Sequence, residues 1–125
     1  MSRIAFRALP TALAAGLLTA FAAACGSNEN PPAGAKTMSF ELTDAGCSPR
    51  DATTAAGPIH FEIENGGTAK VTEMEIMEGD RVLGERENIT EGLSSDFTLT
   101  LEKGSYTIYC PGGSDERGTL TVSGG

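Results

Sequence analysis

Apolar and polar side chains alternate in short bursts along most of this chain, and turn residues separate the bursts. Met38, Phe40 and Leu42 alternate with Ser39 and Glu41, and Ile59, Phe61 and Ile63 alternate with His60, Glu62 and Glu64 before Asn65-Gly66-Gly67. Thr72, Met74 and Ile76 alternate with Glu73 and Glu75 up to Gly79-Asp80, and Phe97, Leu99 and Leu101 alternate with Thr98 and Thr100 up to Lys103-Gly104. Tyr106, Ile108 and Cys110 lead into a Gly-rich loop, and Leu120 and Val122 follow it. A period of two sends one set of side chains into a core and the other into water. No window carries a helical period. Short strands punctuated by turns predict an all-β fold, an antiparallel β-sandwich of Greek-key type.

The N-terminal residues break this pattern. Arg3 and Arg7 precede an acid-free apolar run over residues 8–24, which ends Ala22-Ala23-Ala24-Cys25-Gly26-Ser27. Residues 1–24 therefore read as a signal peptide. Its ending resembles a bacterial lipobox, which implies cleavage before Cys25 and a diacylglycerol on the Cys25 thiol. Ala22 stands where that pattern usually has Leu, and the alternative is ordinary secretion with Cys25 left as a bare thiol. Residues 25–36 are polar and contain Pro and Gly, a composition that predicts a flexible tether. The domain proper is then residues 37–125.

Charge narrows the partners. The signal segment holds Arg3 and Arg7 of the 9 basic residues and none of the 17 acidic ones, so the remainder carries a net charge of about −10. Such a balance argues against nucleic acid and anionic lipid, and it suits a cation or a basic protein. No Ser-His-Asp set, metallohydrolase His pair or phosphate-cradling Gly loop is present, so catalysis is not expected.

Candidate chemistry centres on Cys47 and Cys110, the two cysteines beyond Cys25. In an oxidising compartment two such thiols form a disulfide, or they serve as thiolate ligands to a metal; both readings require the sulfurs to lie close. Asp115 and Glu116 fall in the loop after Cys110, within reach of whatever it binds. Alternation turns Glu73 and Glu75 toward solvent, and Glu85-Arg86-Glu87 reads as a solvated charge run at a strand end. His60 is expected to face water and is left out of the site; Met74 and Met77 read as packing residues.

The strand ending at Cys110, the short loop and Gly118-Thr119-Leu120-Thr121-Val122 resemble the copper-ligand loop of the cupredoxins. A blue-copper centre there would need a trigonal His2Cys set with a weak axial ligand. No His or Met follows Cys110; Asp115 and Glu116 take those places, so no blue-copper centre is expected. Cys47-Ser48-Pro49, Glu73-Met74-Glu75-Ile76, Glu85-Arg86-Glu87-Asn88-Ile89 and the segment 104–110 occur in that order. Together they resemble the cupredoxin domain of EfeO, the periplasmic component of a bacterial iron-uptake system, over residues 37–122. EfeO proteins usually carry a helical metallopeptidase-like domain as well, and this sequence does not contain it. The resemblance implies a non-enzymatic domain that binds iron or copper through Cys47, Glu73 and Cys110 with Asp115 or Glu116 nearby. It also implies a membrane permease or another surface-exposed uptake protein as partner, and an exported, lipid-anchored location. A metal-free, disulfide-stabilised binding module and an electron-transfer partner remain as alternatives.

Overall fold

The strands form where the alternation is strongest, with three short additions between them. In the computed structural model, which describes residues 30–124, they are β1 (Lys36–Leu42), β2 (Cys47–Ser48), β3 (Ala52–Ala55), β4 (Gly57–Asn65), β5 (Met74–Glu78), β6 (Arg81–Arg86), β7 (Ser94–Leu101), β8 (Gly104–Tyr109) and β9 (Arg117–Ser123). The signal segment and Cys25 lie outside the described residues, as does the start of the tether. Among the described residues no helix is long and apolar enough to cross a membrane.

The strands make two sheets, one ordered β2-β1-β4-β7 and the other β3-β9-β8-β5-β6. Most neighbours are antiparallel, but β1 runs parallel to β4 and β3 parallel to β9, so each sheet is mixed. The inward residues of the alternating bursts meet between the sheets: Phe40, Leu42, Ile59, Phe61 and Ile63 from one, Met74, Ile76, Ile108, Leu120 and Val122 from the other. Phe61 stacks between Phe40 and Phe97, with ring centroids 6.2 and 5.0 Å away. Burying such a set removes most of its apolar area from water, which is the main stabilising term of a domain this small.

Two departures from the expected pattern bear on function. Strand β5 starts at Met74 rather than Thr72, and the ladder between β5 and β6 shifts register between Ile76 and Met77. Such a bulge hides the period of two, which is why β6 carries no clean alternation in the sequence. His60, expected in water, is buried at 4% exposure. It does lie on the outer face of its sheet, as alternation requires, but Thr98 and Asp96 crowd it from β7 and Asn30 and Pro31 help line the cleft above it.

Candidate metal centre

The hairpin of β5 and β6 concentrates acid on one side of the sheet. Glu73 immediately precedes β5 and Glu75 lies in it; Glu85 lies in β6 and Glu87 just follows it. The register pairs Met74 with Arg86 and Glu75 with Glu85, and continuing it by one step sets Glu73 opposite Glu87. Since Met74 and Ile76 point into the core, the period of two turns all four carboxylates to the outer face. Carboxylate oxygens from Glu73, Glu85 and Glu87 all lie within 4.8 Å of one another.

Like charges set opposite each other across a ladder are unfavourable, and among the described residues no base pairs with them. Arg86, between the two acids, projects to the other face, where its guanidinium lies 5.7 Å from the Phe97 ring centroid. Among the described residues none of the four glutamates takes part in an ion pair. The cost falls on Glu73, whose carboxyl is pushed up to about 7. Partial burial is the first cause, then a hydrogen bond with Glu75 and the charges of Glu75 and Glu87. Cations relieve this kind of crowding most directly, because they pair with several carboxylates at once.

The array is held from beneath by a buried amide. Asn65, fully buried at the end of β4, donates from Nδ2 to the carbonyls of Thr68, Val71 and Ile89 at 2.9, 3.3 and 2.8 Å. Its Oδ1 accepts from the backbone N–H groups of Gly67 and Thr68. These bonds fix the segment that delivers Glu73 and the one that follows Glu87. The Ile89 N–H then donates to the Thr72 carbonyl at 2.9 Å, clasping the two segments just behind the glutamates. Asn88 adopts a φ of 59°, a left-handed turn that Asn tolerates better than most residues, and this lets Ile89 drop into the core.

The cysteines occupy a different environment. Cys47 and Cys110 form a disulfide with a Cα separation of 5.7 Å, linking β2 of one sheet to the end of β8 in the other. Cys110 is fully buried. While bonded, neither sulfur offers a thiolate to a metal. The loop that follows is pressed against backbone: a Cβ on Gly112 would collide with the Lys70 carbonyl, and one on Gly113 with that of Ala45. Its acids have local partners. Asp115 accepts from Arg50 Nε at 2.8 Å, and Glu116 Oε2 accepts from the Gly112 N–H at 3.1 Å.

The structure thus brings Cys47 to Cys110 and keeps Glu73 with Glu85 and Glu87, while Asp115 and Glu116 stand outside that carboxylate group. Glu85 and Glu87 were read from the sequence as solvated charge. The signal that finds them is a pair of Glu-x-Glu segments, 73–75 and 85–87, on either side of the Gly79-Asp80 turn, because a hairpin lays two such segments side by side.

Known proteins place this architecture. Residues 13–122 match the family described as a cupredoxin-like domain. The iron uptake system component EfeO of Yersinia pseudotuberculosis serotype I (strain IP32953) is 36% identical over 117 residues, covering 92% of this chain and 30% of that protein. EfeO of Escherichia coli (strain K12) is 39% identical over 83 residues, covering 66% of this chain and 22% of that protein. The chain therefore spans less than a third of the length of these relatives. Among solved structures, reduced auracyanin from the photosynthetic bacterium Roseiflexus castenholzii superposes with a TM-score of 0.60 at 15% identity, over 71% of this chain and 98% of that one, a likeness of fold alone. The chain belongs to the cupredoxin-like domain family and is related to the iron uptake component EfeO, of which it matches one part.

Proposed function

We propose that this chain is an extracytoplasmic metal-binding domain that handles iron, or copper, for uptake through a membrane permease. The observation that carries the reading is the convergence of Glu73, Glu85 and Glu87 within 4.8 Å. A cluster of oxygen donors suits hard or borderline cations, and the choice of iron among them rests on the relationship to EfeO. Glu73 is then a ligand, as the resemblance to EfeO implies, joined by Glu85 and Glu87, with Glu75 behind them tuning Glu73's affinity for protons. Cys47 and Cys110 brace the two sheets. Asp115 and Glu116 fix the loop rather than the ion. In this reading the domain binds and passes on its cargo without changing it.

The disulfide favours an exported location, and Cys25 would provide the lipid anchor that holds the domain at a membrane near its permease or a companion uptake protein. Ferric and ferrous ions titrated into the full chain, with calorimetry as the readout, test the central claim. One ion should bind per chain, and the combined Glu73→Gln, Glu85→Gln, Glu87→Gln variant should lose that binding while keeping its fold by circular dichroism. Undiminished binding in the triple variant would overturn the assignment. Absence of any metal binding in the parent chain would favour the metal-free, disulfide-stabilised module.

A further inference from the structure

The outer face that carries the glutamates also carries a base, and that base is held elsewhere. Across four neighbouring strands the ladders set Glu85, Glu75, Tyr109 and Arg117 in one row, each opposite the next. Ile76 and Ile108 enter the core, so the period of two turns Glu75 and Tyr109 outward together, with their ladder partners. Met77 follows Ile76 on β5, opposite Thr107, and is not part of the core cluster. It therefore lies on the same outer face.

The Arg117 guanidinium sits over the Tyr109 ring, 4.1 Å from its centroid, and Nη1 donates to Met77 Sδ at 3.9 Å. The side chain thus crosses β8 and reaches β5, the strand that holds Glu75. Glu75 and Met77 are two residues apart there, about 7 Å along a strand. Among the described residues Arg117 nevertheless forms no ion pair, with Glu75 or with any other acid. In a chain of 17 acidic and 9 basic residues, a guanidinium that passes over a carboxylate on the strand it touches needs something to hold it. The ring face and the thioether supply that hold: Arg stacks on aromatic faces, and sulfur accepts weakly.

We propose that Tyr109 and Met77 are positioning residues that keep Arg117 off Glu75, so that the glutamate array keeps its negative charge for a cation, an inference that rests on the metal-binding reading of Glu73, Glu85 and Glu87. Freed from the ring, Arg117 pairs with Glu75. One positive charge then stands beside the three ligands and opposes the charge of the incoming ion.

Fe²⁺ is titrated into the full chain and its variants. Tyr109→Thr removes the ring while suiting a strand, and it should weaken binding by about tenfold, the order expected for one unit charge brought next to the site. Tyr109→Phe keeps the ring face and should bind as the parent does. Adding Arg117→Gln to Tyr109→Thr should restore the parental affinity, which a merely structural role for the ring would not allow. Arg117 also gives a readout without metal. Its Nε–H resonance should shift on Glu75→Gln in the Tyr109→Thr background and stay in place in the parent. A Tyr109→Thr protein that binds like its parent, or whose loss Arg117→Gln does not restore, would overturn the proposal. So would an Arg117 resonance that ignores Glu75→Gln in both backgrounds. A parent chain that binds no Fe²⁺ would overturn the metal reading instead, and the Arg117 resonance would still decide what holds the guanidinium.

Discussion

Two acidic regions of this domain look alike in sequence and behave differently in space. The loop after Cys110 and the hairpin of β5 and β6 each place carboxylates next to turns. In the loop, Asp115 is bonded to Arg50 and Glu116 to the backbone of its own turn. On the hairpin, Glu73 is crowded by Glu75 and Glu87, none of the four glutamates has an ion-pair partner among the described residues, and Arg86 is turned away onto Phe97. Carboxylates with fixed local partners have little left to offer an ion. Carboxylates forced together without a base hold unfavourable energy that an ion releases on binding. In the proposed reading the loop beside the disulfide serves rigidity and the hairpin face is where a cation binds.

That contrast can be broken most forcefully at the disulfide. Cys110→Ser should lower the unfolding free energy by about 4 kcal/mol, as expected for opening a loop of this length, measured by urea denaturation against the parent chain. Iron binding at the hairpin should survive under conditions where the variant stays folded. Loss of binding in a folded Cys110→Ser protein would tie the two regions into one site.

Asn65 tests whether the hairpin acids are positioned from below. Asn65→Ala strips partners from three buried carbonyls, the buried Thr68 N–H and the partly buried Gly67 N–H. It should cost roughly 3 kcal/mol and weaken metal binding together, because the segment carrying Glu73 comes loose. Leaving affinity untouched would show that the ladder alone holds the array.

The pH dependence of binding isolates Glu73. Its carboxyl is raised to about 7, so below that pH an ion must displace its proton. Apparent affinity should fall by about tenfold per pH unit below 7 and level off above it. Calorimetry in buffers of different ionisation enthalpy should count close to one proton released per ion at pH 6. Release that does not change between pH 6 and pH 8 would remove Glu73 from the ligand set.

The smallest effect concerns the metal-free protein. Glu73 binds its proton more tightly in the folded state than its ordinary value of 4.5 allows, and the gain is full below 4.5 and lost as pH rises through 7. Above pH 7 the ionised Glu73 therefore opposes folding. Glu73→Gln should raise the melting temperature by a few degrees at pH 8 and leave it nearly unchanged at pH 4. An equal rise at both values would point to packing rather than charge.

Alternation alone made the sandwich legible, since residues such as Phe40, Phe61 and Ile108 announce their side of the sheet one by one. It failed at β6, where the bulge near Leu83 breaks the period, and with β6 went the sight of Glu85 and Glu87 as partners of Glu73. The outward direction of Glu73 was readable; the acids it would meet there were not, because pairing depends on register, and register is set by a turn and a bulge together. For the cysteines, sequence left open a disulfide and a ligand pair, and the closeness of β2 to the end of β8 joins them. His60 shows the opposite error: its face was right, but its burial comes from Thr98, Asp96 and the cleft above, none of them its neighbours in sequence.

What the sequence by itself determined is everything governed by local repetition: which residues enter the core, where the chain turns, that the surface is acidic, and that no blue-copper ligand follows Cys110. Tertiary structure alone decided which acids become neighbours, which acquire bases, and whether two distant sulfurs join. The physical reason is range. The direction of a side chain is fixed by the residues on either side of it, whereas a cluster of charge is fixed by strands brought together from afar, and only the folded sheet sets Glu73 against Glu87.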